Sequence, residues 1–262
     1  MSFIHLHVAS AYSLKYGTTQ PADLVARARE FNMPALAVTD RDGLAGAIRF
    51  AQSCVAEGIA PIIGVDLAIK LPGFTDKKLP RLTLLANGDG GWRSLCRFMT
   101  SLNLNATDRN PVITLDLLER FSEYSLGLQV LHGPESPVSY AIADKRPDLA
   151  IEVFNKTRDL FGDHAIEIVS HLVAGSGPRS TPHAARSLIF ARDHDLDAVL
   201  TNAVRMRDRE DGPIADILDA ARQLVPLHPR HVERRNAEAF LKSTDAMAAL
   251  ASEIALAAGE RT

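Results

Sequence analysis

The chain has 262 residues, enough for one large α/β domain or two small ones, with an ordinary globular composition of 46% hydrophobic and 23% charged residues. Its formal net charge of −3 argues against a surface devoted to gripping nucleic acid, which ordinarily carries a basic excess. Two cysteines, Cys54 and Cys96, cannot build a disulfide framework, and neither a signal peptide nor a bilayer-spanning apolar run is apparent, so a cytoplasmic, membrane-free location is expected.

Phe3 to Val8 reads as a first strand. A helix opens at Thr19-Gln20-Pro21, where proline suits the first turn, and its Leu24, Val25 and Ala28 recur at helical spacing. Ala35 to Thr39 is a buried strand, Gly43 to Glu57 a second helix, Pro61 to Ile69 a third strand and Arg81 to Ala86 a fourth. Gly88-Asp89-Gly90-Gly91 lacks the lysine of a phosphate loop and reads as a turn before a helix from Trp92 to Leu104. Leu126 to Leu131 is a strand, followed by helical segments to about Phe161. Ala165 to Val169, a helix from about Pro182 to Asp193, and Ala198 to Thr201 continue the alternation. Glycine- and proline-rich loops lie near Leu71–Pro80 and Ala174–Pro182, and neither has the look of a domain linker. After about Asp208 the strand signal ends and the tail reads as helices at Ile214–Gln223, Ala237–Lys242 and Thr244–Ala258. Repeated β–α units predict a mostly parallel sheet closed into a barrel, with functional groups gathered at the strand ends.

Four segments in order carry a resemblance. His5-Leu6-His7-Val8-Ala9-Ser10 with Tyr12-Ser13 resembles the HLHxHS-x-YS opening of the PHP domain in bacterial DNA polymerase III alpha subunits. Met33-Pro34-Ala35-Leu36-Ala37-Val38-Thr39-Asp40 resembles its MPALAxTDH strand, Gly43-Leu44-Ala45-Gly46-Ala47 the glycine-bearing turn that follows, and Pro61-Ile62-Ile63-Gly64-Val65-Asp66 its PIIGxE strand. Weaker similarity extends through Leu82-Thr83-Leu84-Leu85-Ala86 and Thr201-Asn202 over nearly the whole chain. The resemblance implies a distorted βα barrel of the PHP type over residues 1–207, and a helical tail over 208–262 that leads toward a polymerase palm not contained in this chain. Intact members hold up to three metal ions on histidines and carboxylates and hydrolyse phosphoesters with metal-activated water.

The implied ligand positions are filled differently here. The two ligating histidines of the opening fall at His7 and Ala9, and His5 precedes them as a structural histidine. Tyr16 stands for an aspartate, Arg41 (after Asp40) and Arg81 for histidines, and Asp66 for a glutamate. Gly133 stands for a cysteine or histidine, with His132 the occupant if the alignment slips by one; Ala203 and Arg205 stand for an aspartate and a histidine. A catalytic zinc needs about three protein ligands, so the resemblance implies a degenerate pocket with no metal, no catalytic residue and no cofactor. Arg41, Arg81 and Arg205 are expected to fill it and pair with Asp66 or Asp40, or else to form an anion site.

His164 and His171 flank Glu167 and read as structural or solvated rather than as a second metal pair, and the basic stretch Leu227–Arg235, without aromatic residues for stacking, as a solvated loop. The function implied by the resemblance is a non-catalytic, structural or docking domain of a DNA-directed DNA polymerase acting in replication or translesion synthesis. Expected partners are the remaining polymerase domains of the same protein and a proofreading exonuclease or other replisome subunit, with DNA met only through the full-length polymerase. The alternatives are a free-standing metal-dependent phosphoesterase and a small-anion sensor.

Overall fold

The uninterrupted run Ala-Leu-Ala-Val-Thr has no polar face to offer solvent, and it forms the strand β1 (Ala35–Arg41), buried over all but its last residue. In the computed structural model, which describes residues 2–71, 79–106, 111–114, 116–117, 120, 127–232 and 234–259, β1 is one of seven strands in a single curled sheet. The others are β2 (Ala60–Lys70), β3 (Arg81–Ala86), β4 (Val112–Thr114), β5 (Leu128–His132), β6 (Asp163–Ile168) and β7 (Ala198–Leu200). Their order is β1-β2-β3-β5-β6-β7, with β4 also paired to β2. Strand β3 runs antiparallel to both its neighbours, and the other pairings are parallel. Helices α1 (Pro21–Glu30), α2 (Ala47–Glu57), α3 (Gly88–Leu104), α4 (Pro137–Ala143), α5 (Pro147–Phe161) and α6 (Thr181–Asp193) fill the connections, and α7 (Gly212–Gln223) and α8 (Thr244–Ala257) follow β7. Ser136 and Ser180 cap α4 and α6 with their hydroxyls, each just ahead of a proline in the first turn.

Between β1 and the chain beyond β7 the sheet is joined by the segment expected as the first strand. His5 and Val8 carbonyls accept from the Ala37 and Thr39 amides, and Val8 forms a parallel bridge with Val204. The segment is not a regular strand, because the Thr39 hydroxyl takes the Val8 N–H (2.9 Å) where a backbone carbonyl would complete the ladder. The molecule is therefore an α/β fold with a distorted barrel.

Three apolar clusters lie between the strands and their covering helices. Leu24, Val25 and Phe50 pack on β1; Leu95, Phe98 and Leu102 on β2 and β3; Val138, Phe154, Phe190 and Leu250 on β6. Fully burying each of the larger side chains contributes about 1.5–3 kcal/mol. A smaller layer fills the interior: Leu85, Leu131 and Ala165, with Leu6, Ile62 and Val199 against them. Side chains alternate along a strand, so the residue two positions beyond each interior residue shares its face. Those residues are Thr83, Gly133, Glu167 and Thr201, and they surround the candidate site.

Several expected elements are displaced. The stretch expected as a helix at Ala237–Lys242 is extended: Phe240 bridges Met206, and the Asn202 side-chain amide donates to the Glu238 and Phe240 carbonyls (2.8 Å each). Residues that favour helices are overridden there by backbone hydrogen bonds to the chain beyond β7. Gly88–Gly91 is the first turn of α3 rather than a separate turn, while α2 begins at Ala47, after a bend that carries Gly43. Strand β5 extends to His132; the Leu126 expected to start it lies outside the described residues, as do most of the Leu71–Pro80 loop, Glu233 and the last three residues.

Candidate functional site

The parallel strands β1, β2, β5 and β6 deliver their carboxyl ends, and β3 its amino end, to one mouth of the barrel. Arg41 closes β1 opposite Asp66 on β2, Thr83 of β3 lies opposite Asp66 on the other side, and Gly133 directly follows β5. His7, Tyr16, Arg41, Asp66, Arg81 and Gly133 line one small recess there, together with Thr83, Glu135, Arg179 and Ala203. Most positions expected at the pocket therefore meet in space, although they are scattered over about 200 residues of sequence.

One side of the recess is held by guanidinium groups. Arg81 Nε donates to both carboxylate oxygens of Asp66 (3.0 Å each), and its Nη2 donates to Asp42 Oδ1 (2.8 Å) and to the Asp66 carbonyl (2.7 Å). Arg41 Nε lies 3.1 Å from Asp66 Oδ2, close enough for an ion pair but without hydrogen-bond alignment, and Arg41 Nη2 donates to Glu135 (2.8 Å). Arg179 donates to the other oxygen of Glu135 (2.7 Å). The Tyr16 ring meets two cations, with the Arg41 guanidinium carbon 3.5 Å and that of Arg205 4.2 Å from its centroid. Burial opposes the charge on Arg41, yet Tyr16, Glu135 and Asp66 beside it raise its pKa further and keep it cationic. On Arg81 burial is likewise outweighed, by Asp66 and Asp42.

The other side is an imidazole–carboxylate pair. His7 Nδ1 lies 2.8 Å from Glu167 Oε1, which also accepts from the Thr201 hydroxyl. Burial works against a charged His7, but Glu167 and then Asp66 outweigh it, so the pKa of His7 is raised. Glu167 Oε2 is buried without a described partner and faces Gly133, where an added Cβ would collide with it. Gly133 thus leaves the space that the Glu167 carboxylate occupies.

The remaining expected residues lie elsewhere or pair differently. His132 points away from the recess: its Nε2 meets His164 Nδ1 at 2.8 Å under α5, beside Phe154, and burial depresses the pKa of both, that of His164 to about 3. The alternation of β5 places Leu131 and Gly133 on one face and His132 on the other, so Gly133 is the residue at the mouth. His5 is buried at the seam, its Nε2 2.9 Å from the Lys242 carbonyl, with its pKa lowered to about 4 by burial. Ala9 is buried and donates its N–H to Val204. Asp40 meets no arginine: it accepts from the Ser10 N–H (2.6 Å), the Ser10 hydroxyl (2.8 Å) and the Ser13 hydroxyl (2.7 Å), and so fastens the loop that carries Tyr16. Burial nevertheless pushes its pKa up. Arg205 pairs with neither Asp66 nor Asp40 but with Asp219 of α7 (3.1 and 3.2 Å), and its Nη2 also donates to the Tyr16 carbonyl (3.0 Å). His171, facing the Asn202 carbonyl at 2.8 Å, is buried and neutral, its pKa lowered to about 3.

Asp42, Glu135, Arg179, Glu167 and Asp219 complete these networks and are not among the expected site residues. Only Glu167 had a legible signal, two positions beyond the interior Ala165 on a strand. The other four reach the site from the turn after β1, a loop after β5, a loop before α6 and a helix of the tail, where no periodicity marks them.

Both oxygens of Asp66 accept from Arg81, and guanidinium groups do not ligate a cation and repel it, whereas the contact of His7 with Glu167 uses Nδ1 and does not involve Nε2. Among the described residues, no three His, Cys, Asp or Glu side chains are grouped so that they could hold a metal ion.

Comparison with known proteins places the chain. It is 30% identical over 261 residues to the DNA polymerase III subunit alpha of Treponema pallidum, covering 95% of this chain and 22% of that protein. It is 29% identical over 264 residues to an error-prone DNA polymerase of Symbiobacterium thermophilum, covering 94% and 23%. The chain thus spans less than a quarter of the length of these relatives. An amidohydrolase from Chromobacterium violaceum shares the fold at a TM-score of 0.50 and 14% identity, over 78% of this chain and 87% of that structure. The model of the PHP domain matches residues 5–171, which is most of the barrel, and the chain belongs to the PHP domain family.

Proposed function

We propose that this chain is the PHP domain of a larger polymerase of the DNA polymerase III alpha type, acting in replication or translesion synthesis, and that its metal pocket is degenerate. The observation that carries the reading is the double engagement of Asp66 by Arg81 and Arg41. Two fixed positive charges take the place of metal ions beside that carboxylate, and they do so without an open coordination site. A domain built this way has no activated water and no phosphoesterase or 3′–5′ exonuclease activity of its own. Its role is structural or docking: it supports the remaining polymerase domains of the same protein and offers its surface to a proofreading exonuclease or another replisome subunit. In this reading residues 1–207 form the barrel and 208–262 the tail toward the palm, and polymerisation belongs to the parent protein.

The test is elemental analysis of protein purified without chelator and then offered zinc and manganese, with a 3′–5′ exonuclease assay on the same sample. The expected result is metal near zero and no nuclease activity. Two or three bound ions with metal-dependent cleavage would replace this reading with that of an active phosphoesterase.

A further inference from the structure

Helix α7 packs on the barrel with its small and polar side. It buries Gly212, Ala215, Asp219 and Ala220, and it turns Ile214, Ile217 and Ala221 outward, with Leu224 just past its end. Ile214, Ile217 and Leu224 are 47%, 55% and 86% exposed. Spacings of three, four and three residues put these four on one stripe, the pattern of a helix–helix seam. A helix ordinarily turns such a stripe to the core. Leu224 also has a φ of 55°, the left-handed conformation for which glycine is usual at a helix end.

Part of the stripe is one wall of an open groove of about 500 Å³. Pro213 and Ile217 line it from the helix, and Leu227, Pro229 and Val232 from the loop that follows. Arg234 ties the two walls together. Its Nε and Nη2 each donate to the Asp216 carboxylate at 2.6 Å, and Nε also reaches the Gly212 carbonyl (3.1 Å). Asp216 is the one carboxylate among the described lining residues, and this pairing neutralises it. Arg235 in the lining and Arg230 beside Pro229 are exposed and make no ion pair among the described residues. The groove therefore joins an apolar stripe to a cationic rim, and a solvated loop at Leu227–Arg235 accounts for neither.

We infer that this groove is a docking site for an acidic amphipathic helix of a separate protein. The incoming helix lays an apolar seam against Ile214, Ile217, Ala221 and Leu224, and carries carboxylates along the edge that meets Arg230 and Arg235. Unpaired arginines on one rim favour acidic partners and turn basic ones away. They also disfavour a second copy of the chain, whose own stripe is flanked by the same arginines. The inference gives a surface to the docking role proposed above and rests on that role. It does not rest on the state of the recess, which shares no lining residue with the groove.

The experiment is fluorescence anisotropy of a labelled synthetic peptide of about three heptads, with leucine at both seam positions and glutamate beside them, titrated with the chain. A twin peptide has lysine in place of glutamate. The glutamate peptide is expected to bind at least about tenfold more tightly than its twin. Arg230→Glu combined with Arg235→Glu, both at exposed positions, is expected to reverse that preference. Ile217→Asp is expected to weaken the glutamate peptide by about tenfold or more. Leu224→Gly should weaken it as well without lowering the urea midpoint, because glycine suits the left-handed position. No binding, equal binding of the twins, or unchanged affinity in Ile217→Asp would each overturn the inference. So would a dimer of the chain that Ile217→Asp dissociates, since the occupant would then be a second copy. A parent polymerase that leaves no site for the peptide would overturn it too, since the rest of the same protein would then fill the groove. Peptide binding by protein that also holds two or three metal ions would overturn the degenerate-pocket reading alone. Metal-free protein that binds no peptide would overturn this inference alone.

Discussion

The two sides of the barrel mouth solve the same problem, a buried carboxylate, in different ways. Asp66 receives Nε of Arg81 on both oxygens, with Arg41 beside it, so each oxygen of its side chain meets a fixed cation. Glu167 receives one imidazole and one hydroxyl on a single oxygen, and its second oxygen has no described partner. Permanent guanidinium charge makes the first network independent of pH across the physiological range. The second rests on an imidazole whose charge depends on pH. One mouth therefore has a locked side and a titratable side.

The largest effect expected from breaking this comparison is at Asp66. Asp66→Ala takes from two mostly buried guanidinium groups the carboxylate they share, leaving Arg81 with Asp42 and Arg41 with Glu135, and is expected to lower unfolding free energy by about 3 kcal/mol, read from the urea midpoint. Glu167→Gln, which keeps the shape and removes a singly served charge, should cost less. Equal losses in the two variants would show that the sides are not different.

Acid titration comes next. His5 and His171 are held neutral by burial, with pKa values lowered to about 4 and about 3, whereas an unfolded histidine titrates near 6.5. Depressed bases weaken the fold as pH falls through 6.5, by about 2 kcal/mol each at pH 5. His7 has the opposite sign: its raised pKa contributes stability that is complete below pH 6.5 and lost as pH rises through the folded value. In urea midpoints measured against pH, His7→Gln should flatten the alkaline slope and leave the acid slope in place. An unaltered alkaline slope would remove His7 from the titratable side.

A smaller effect than at Asp66 is expected at Gly133. An alanine Cβ there meets Glu167 Oε2, so Gly133→Ala should cost about 1–3 kcal/mol through displacement of that carboxylate. It should also reduce the alkaline slope that His7 contributes. A neutral Gly133→Ala with the slope intact would mean that Glu167 has room to move.

Much of this was legible before the fold was known. The apolar runs of β1, β3 and β6 and the proline-led starts of α1 and α6 were placed within a residue or two, because burial on both faces and helix starts leave local marks. The convergence of His7, Tyr16, Arg41, Asp66, Arg81, Gly133 and Ala203 is what the resemblance to the PHP pattern implies, with His132 as the alternative to Gly133. Partner choice was not legible. Arg205 and Asp219 are 14 residues apart, with nothing in their spacing to mark a pair, and Arg179 reaches Glu135 across 44 residues.

By itself, then, the sequence determined the strand and helix alternation, the family and the set of residue types at the mouth, since these depend on local periodicity and on motif order. Only the tertiary structure decided that His132 turns under α5 while Gly133 faces the mouth, a choice set by strand alternation and register. It alone decided that the 237–242 segment is extended, because long-range backbone hydrogen bonds outweigh local helix propensity. It alone assigned each arginine its carboxylate, because an ion pair is fixed by where two side chains end in space, and chain spacing does not encode that.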